Sequence, residues 1–167
     1  MYDGRKIANF MLSEFDPNEF EITNLKLNKV LYYVQAFHLV RFSRPLIKNH
    51  FEAWDHGPVV RVVYHEFKSF DRSPITTLAR HLNYASGEQE VIAHQDIPAM
   101  LQKFIGDVAS HYMKFSASQL RQMTHKVGGP WYQVYHSAPD QRGIRDRIPN
   151  ELISQHFSEE IGSKALN

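Results

Sequence analysis

The chain has 167 residues, of which 43% are hydrophobic and 13% aromatic, so it can bury one core and is not intrinsically disordered. Its formal net charge of +1 excludes a global electrostatic field that would draw it to nucleic acid or membranes, and the absence of cysteine excludes disulfides and thiolate zinc sites. We expect a single domain over residues 1–167.

The N-terminal half opens with two predicted helices. Ile7, Phe10 and Met11 lie on one face of the first, which ends at Asp16-Pro17. The second is expected to run from residue 24 to about residue 42 and to lie in the centre of the fold, because it is apolar most of the way round. The first ten residues have no apolar h-region, and the apolar run at 30–40 is too short to span a bilayer, so we expect a cytoplasmic protein without membrane contact.

The stretch WDHGPVV, residues 54–60, is the first that raises a chemical question. We interpret it as a structural joint in which a strand at 51–54 reaches a tight turn at Gly57 and Pro58 opens a third helix. Trp54 is expected in the core. His56 is expected to hydrogen-bond backbone near the joint, so that both Gly57→Val and His56→Ala should lower stability.

The remaining elements follow from local signals. A turn at SGEQE predicts a small hairpin or loop within residues 71–95, and an amphipathic helix follows from residue 97. Ser116 and Gln119 form a capping-box pattern for a short helix that KVGGPW ends, where the glycines supply left-handed backbone. A short strand at 144–148 and a last helix opened by Pro149 complete a mainly α (α+β) fold of about six helices with a small β element.

A metal or cofactor site is not expected, although the chain has 10 histidines. HEFKS begins like the zinc-protease signature H-E-x-x-H, but Ser69 stands where the second histidine is required. We predict no stoichiometric transition metal in the purified protein.

Catalysis and nucleic-acid binding remain open as lesser alternatives. There is no G-x-S-x-G nucleophile motif and no phosphate-binding loop; a hydrolase or nuclease without a known motif is the alternative from the enzyme class. Basic residues fall into two groups, interspersed with acids and without a recognition-helix motif, so little affinity for duplex DNA is expected. The groups are Arg41, Arg44, Lys48, Arg61 and Lys68, and then Arg142, Arg145 and Arg147.

Three segments together carry a family resemblance. LKLNKVLYYVQAFHL (25–39), EAWDHGPVVRVVYHEFK (52–68) and LRQMTHKVGGPWYQVY (120–135) resemble the Panacea domain family of SocA-like and phage-associated proteins. The W-x-H-G-P-V and T-H-x-x-G-G-P-W pieces are the most specific. The residues of these motifs are the candidate partner-binding positions: Trp54, His56, Gly57, Pro58, Arg61, His125, Gly129, Pro130 and Trp131.

The resemblance implies an antitoxin that binds and blocks a small protein toxin encoded beside it, without enzymatic activity. It also implies an alternative, in which the protein is an adaptor that delivers the toxin to a protease. DNA binding is not carried over, because this chain has room only for the core domain. His125 and Trp131 are expected to form a second joint like the one at Gly57, and both joints can border the partner surface.

Overall fold

The computed structural model describes residues 1–137 and 147–165. Within these ranges seven helices and five short strands confirm the predicted mainly α class with a small β element. The helices are α1 (Gly4–Glu14), α2 (Asn24–Phe42), α3 (Arg61–Phe67), α4 (Ala99–Tyr112), α5 (Ala117–Thr124), α6 (Pro130–Ser137) and α7 (Asn150–Ala165). The strands are β1 (Phe51–Trp54), β2 (Gly57–Val60), β3 (Arg80–Leu82), β4 (Gln89–Val91) and β5 (Arg147–Ile148).

Helix α2 is the centre of the molecule, as its composition predicts. The Thr23 side chain caps its N-terminus by accepting a hydrogen bond from the Lys26 amide, and Ser43 ends it in left-handed backbone with φ 52°. Helices α4, α5 and α7 and strand β2 all pack against it. Because neighbours surround the helix, polar residues on it are buried with the apolar ones.

The main sheet has three strands in the order β2–β1–β5, all antiparallel. Strand β1 pairs with β2 from Phe51↔Val60 to Trp54↔Gly57, and with β5 only at its first two residues. The second half of β1 therefore extends beyond β5. The predicted strand at 144–148 is confirmed for its last two residues, while Ile144 and the basic residues Arg142 and Arg145 lie outside the described residues.

A second hairpin, β3–β4, occupies the region where the sequence predicts a small hairpin or loop. Its base is fixed by the buried side chain of Asn9. That amide donates to the carbonyls of Ala79, at 3.0 Å, and Ile92, at 2.9 Å, and it accepts from the Ala79 amide at 2.7 Å. Beyond the base, residues 80–91 lie almost entirely on the surface.

One predicted boundary is wrong and one helix was not anticipated. Pro58 does not open a helix: it lies in β2 opposite Ala53, and α3 begins only at Arg61. All four residues of β2 are buried, so the alternation that would have revealed a strand is missing. Helix α6, which begins at Pro130, was not predicted, and it raises the number of helices in the described residues from the expected six to seven.

Local capping signals are confirmed. Ser116 and Gln119 form the predicted capping box at the start of α5, with each side chain bonded to the other's backbone amide. Gly128 has the expected positive φ, 78°, in the turn between α5 and α6. This turn brings Trp131, near the start of α6, towards the first hairpin.

Candidate functional site

The turn of the β1–β2 hairpin is held by three side chains from three different elements. Trp131 donates its indole N–H to the carbonyl of Trp54 at 2.8 Å, and His125 Nε2 faces the carbonyl of Asp55 at 3.3 Å. From the other side, Lys29 of α2 donates to the carbonyl of Pro58 at 2.9 Å. The two joints expected from the sequence are therefore one structure, in which the second motif binds the backbone of the first. We call this cluster of Lys29, Thr124, His125 and Trp131 around residues 54–58 the hairpin clamp.

Gly57 sits at the narrowest point of the hairpin clamp. Its φ of 100° lies where only glycine is unstrained. A Cβ atom at this position would stand 2.7 Å from Lys29 Cε and 2.8 Å from Thr124 Oγ1. Both dihedral and space require glycine here, and this confirms the predicted tight turn.

Pro58 suits its place in β2 because its missing N–H faces away from β1. The outward-facing groups of this edge strand are bonded by side chains of α2 instead of another strand. The Lys29 ammonium donates to the Pro58 carbonyl, and Asn28 Oδ1 accepts from the Val60 amide at 3.0 Å. Proline is tolerated on such an edge because it has no donor to lose. Helix α2 thus covers the edge of the sheet.

Lys29 is a buried titratable side chain that is not among the candidate positions predicted from the sequence. Its side chain is 0% exposed, and it has no carboxylate partner among the described residues. Burial, assisted by the nearby charge of Arg121, lowers the pKa of Lys29 to about 7. The sequence feature that could have indicated its burial is the polar pair Asn28-Lys29 between Leu27 and Val30. A helix that is apolar on all sides is surrounded by neighbours, so polar residues within it are buried and need hydrogen-bond partners.

His125 links the end of α5 to the hairpin. Its Nδ1 lies 2.7 Å from the Arg121 carbonyl, so both ring nitrogens face oxygen atoms that can only accept. A neutral imidazole donates to one of the two, and only the imidazolium donates to both. Burial lowers the pKa of His125, and the charges of Arg121 and Lys29 act in the same direction, while the two carbonyls oppose the shift.

Aromatic stacking completes the hairpin clamp. The ring of Trp131 is 4% exposed and lies between His125, at a centroid distance of 3.7 Å, and Tyr135, at 4.6 Å. The Tyr135 hydroxyl donates to Asp55 Oδ1 at 3.1 Å. Helix α6 therefore fixes the turn through ring contacts and through hydrogen bonds.

Two expectations about the first motif are wrong. His56 is exposed at the tip of the turn and makes no hydrogen bond within residues 1–137 and 147–165, so it does not bind backbone there. Trp54 is half-buried, not part of the core: its ring packs on Tyr64 at 4.7 Å and its N–H donates to Glu52 at 2.8 Å. Both residues lie at the turn end of the β1–β2 hairpin, beyond the two residues of β1 that pair with β5.

The other candidate positions fall into two environments. Arg61 is exposed at the start of α3. Gly129 and Pro130 are buried where α6 begins, and a Cβ at Gly129 would stand 3.0 Å from the carbonyl of Lys126. Arg61 can therefore contact a partner directly, whereas the glycine and the proline shape the turn that presents Trp131.

The two polar side chains at the centre of the hairpin clamp are buried and bonded to backbone carbonyls. Lys29 and Thr124 are both buried, at 0% and 5% exposure, and the Thr124 hydroxyl donates to the Arg121 carbonyl at 2.9 Å. Neither side chain reaches solvent in this conformation. Within residues 1–137 and 147–165, no three histidine, aspartate or glutamate side chains are close enough to hold a metal ion.

Comparison with known proteins agrees with the resemblance seen in the motifs. Residues 27–132 match the family described as "Antitoxin SocA-like, Panacea domain", and this range contains both motifs of the hairpin clamp. The chain is 32% identical to "Antitoxin SocA" of Caulobacter vibrioides (strain NA1000 / CB15N) over 158 residues, which cover 93% of this chain and 82% of the relative. No solved structure matches, and none of the described helices has the length and apolar character to cross a membrane. The chain belongs to the SocA-like family of Panacea-domain proteins.

Proposed function

We propose that this protein is an antitoxin that neutralises a small toxin, encoded beside it, by binding the toxin directly in the cytoplasm. The observation that carries the proposal is the similarity to Antitoxin SocA along 93% of the chain. The role requires a stable surface and no catalytic group of its own.

The use of the motif residues supports a binding role. Lys29, His125 and Trp131 each bond a backbone carbonyl of the β1–β2 hairpin. These bonds hold the hairpin in one conformation and so rigidify the surface around its turn. A rigid scaffold lowers the entropy lost when a partner binds. Asp55, His56 and Arg61 remain exposed around the clamped turn and can contact such a partner.

Co-expression with the product of the adjacent gene tests the proposal. The neighbour is induced in a heterologous host with and without this protein, and growth is scored; we expect arrest without the antitoxin and rescue with it. Purification of a stable complex of the two chains is the second readout. A neighbour that is toxic but neither rescued nor bound would contradict the proposal.

The same experiment separates direct inhibition from delivery to a protease. With direct binding, the level of epitope-tagged toxin stays constant while growth recovers. A shortened toxin half-life that is restored in a protease-deficient host, with loss of rescue there, would favour the adaptor alternative.

A further inference from the structure

The hairpin β3–β4 presents an open strand edge beside α3. Backbone bonds between Asn83 and Glu88, and between Ala79 and Ile92, identify these as hydrogen-bonded pairs. In an antiparallel ladder the pairs alternate, so the backbone groups of Arg80 and Leu82 point away from β4. The outer edge of β3 therefore faces the space between the hairpin and α3.

Along this edge the backbone groups of Arg80 are hydrogen-bonded, whereas those of Leu82 are not. The Arg80 amide donates to Glu66 Oε1 at 2.9 Å, and its carbonyl receives Arg5 Nη1 at 3.5 Å. No side chain or backbone group among the described residues bonds the Leu82 amide or carbonyl. Side chains of α1 and α3 thus make the hydrogen bonds to Arg80 that a neighbouring strand would make. The outward-facing amide and carbonyl of Leu82 remain available for hydrogen bonding.

The groove beside this edge is basic. Its lining includes Arg5, His65, Arg80 and His81, and Glu66 is its one acid among the described residues. Both oxygens of Glu66 are already engaged, one by the Arg80 amide and the other by Arg5 at 3.8 Å. The guanidinium of Arg80 has no carboxylate partner in the described part of the chain. Arg5 is paired with Asp3, at 3.1 Å, as well as with Glu66, so the cation that the groove offers to a partner is the guanidinium of Arg80.

Apolar side chains are exposed at the same place. Leu82 and Val91 are each 41% exposed and lie diagonally across one face of the hairpin, and Tyr84 at its tip is 92% exposed. Leu82 and Tyr84 line the groove, whereas Val91 lies on β4 and is not part of the lining. The apolar contact surface beside the β3 edge is therefore formed by Leu82 and Tyr84.

We propose that the groove between α3 and the β3 edge, lined by Arg5, His65, Arg80 and Tyr84, binds an extended acidic segment of a protein partner. The segment adds to β3 as a further strand: its backbone bonds the amide and carbonyl of Leu82, and its carboxylates meet Arg80 and His65. Its apolar side chains pack on Leu82 and Tyr84. The inference rests on the proposed function only in taking the toxin as the natural source of the segment.

A polypeptide fits this edge better than a nucleic acid. The open amide and carbonyl of Leu82 match a donor and an acceptor of another peptide backbone, whereas phosphates would use only the cations. The formal net charge of +1 also gives no general attraction for polyanions.

The binding test uses a synthetic probe, so that it does not depend on knowing the toxin. Isotope-labelled protein is titrated with a capped peptide of alternating glutamate and valine while the amide resonances are followed by NMR. A peptide with lysine in place of glutamate and a single-stranded oligonucleotide are the comparison probes. We expect saturable shifts centred on Leu82, Tyr84 and His65 with the glutamate peptide, and weaker shifts with the lysine peptide.

Leu82→Pro and Val91→Pro form a matched pair of variants. Each removes an outward-facing amide from one edge of the same hairpin, so both are tolerated by the ladder. Leu82→Pro should weaken binding of the glutamate peptide about tenfold, the effect of one good hydrogen bond with its packing, and Val91→Pro should leave it unchanged. Arg80→Glu should weaken binding and remove its salt dependence, and circular dichroism confirms that each variant is folded.

The outcomes separate this proposal from the proposed function. Absence of shifts, shifts centred on β4, equal binding of both peptides, or tighter binding of the oligonucleotide would each overturn the groove assignment. If the neighbouring gene's product is neutralised equally well by wild type and Leu82→Pro, the antitoxin role stands and the groove is not its docking site. If wild type binds the peptide but never rescues growth, the groove stands and the antitoxin role fails.

Discussion

The molecule contains two antiparallel hairpins that differ in what surrounds them. The β1–β2 hairpin is bound by side chains of α2, α5 and α6, and every residue of β2 is buried. The β3–β4 hairpin is fixed at its base by Asn9, and almost all of its residues are exposed. The same backbone motif is thus a structural element in one place and an accessible edge in the other.

This difference separates residues that stabilise the fold from backbone that stays accessible. The residues that look chemical in the sequence, above all His125 and Trp131, bind the backbone of the first hairpin and have little left for a ligand. The second hairpin contains none of the motif residues, yet it has the open hydrogen-bonding edge. Motif residues such as His125 and Trp131 therefore stabilise the fold, while backbone outside the motifs remains accessible at Leu82.

The largest expected effect comes from closing the space at Gly57. Gly57→Ala forces a Cβ against Lys29 and Thr124 and adds the strain of a positive φ, so we expect a loss of at least about 3 kcal/mol in the free energy of unfolding. The matched control is Gly87→Ala in the second hairpin. Its φ is 74° with no atom within 4 Å of the added Cβ, so strain alone should cost about 1–2 kcal/mol. Equal losses in urea denaturation would show that the first turn is not crowded.

Trp131→Phe tests the clamp from the side of α6. The substitution keeps a ring beside His125 but leaves the Trp54 carbonyl without its donor and opens a small cavity, which should cost roughly 2–4 kcal/mol. Trp54→Phe is the paired change, because that indole donates to a half-buried carboxylate and is itself half-buried. Denaturant titration should show a clearly smaller loss for Trp54→Phe, and the reverse order would refute the clamp.

Lys29 makes the stability of the clamp depend on pH. Its pKa is about 7 in the folded protein against 10.5 ordinarily, so the unfolded chain binds more protons between these values and the fold gains stability as pH rises through that window. From pH 7 to pH 9 the gain should be roughly 2 kcal/mol. Lys29→Met lacks this titration, so the difference in unfolding free energy between wild type and variant should change by that amount. A constant difference across the window would contradict the assigned pKa.

His56→Ala should have the smallest effect, in contrast to the expectation from sequence. The side chain is exposed at the tip of the turn and has no hydrogen bond in the described part of the chain, so the free energy of unfolding should change by less than about 0.5 kcal/mol. A thermal melt checks this. A variant that is stable but inactive in the growth assay would indicate that His56 contacts the partner. An unstable variant would instead support the structural role that the sequence predicted for His56.

The sequence by itself determined the features that depend on residues a few positions apart. Thr23 and the pair Ser116–Gln119 set the starts of two helices, because capping bonds close within one turn. The need for glycine at residue 57 followed from its turn, although the side chains that crowd it did not.

Only the tertiary structure decided which distant groups meet. Lys29 reaches the Pro58 carbonyl, and Trp131 reaches the Trp54 carbonyl, across a separation along the chain that no local pattern encodes. The same contacts make Pro58 a strand residue, because α2 supplies the bonds of the outer edge of β2. The exposure of His56 and the open edge at Leu82 were likewise undetermined by sequence, since each depends on where the surrounding helices end and leave backbone or side chain uncovered.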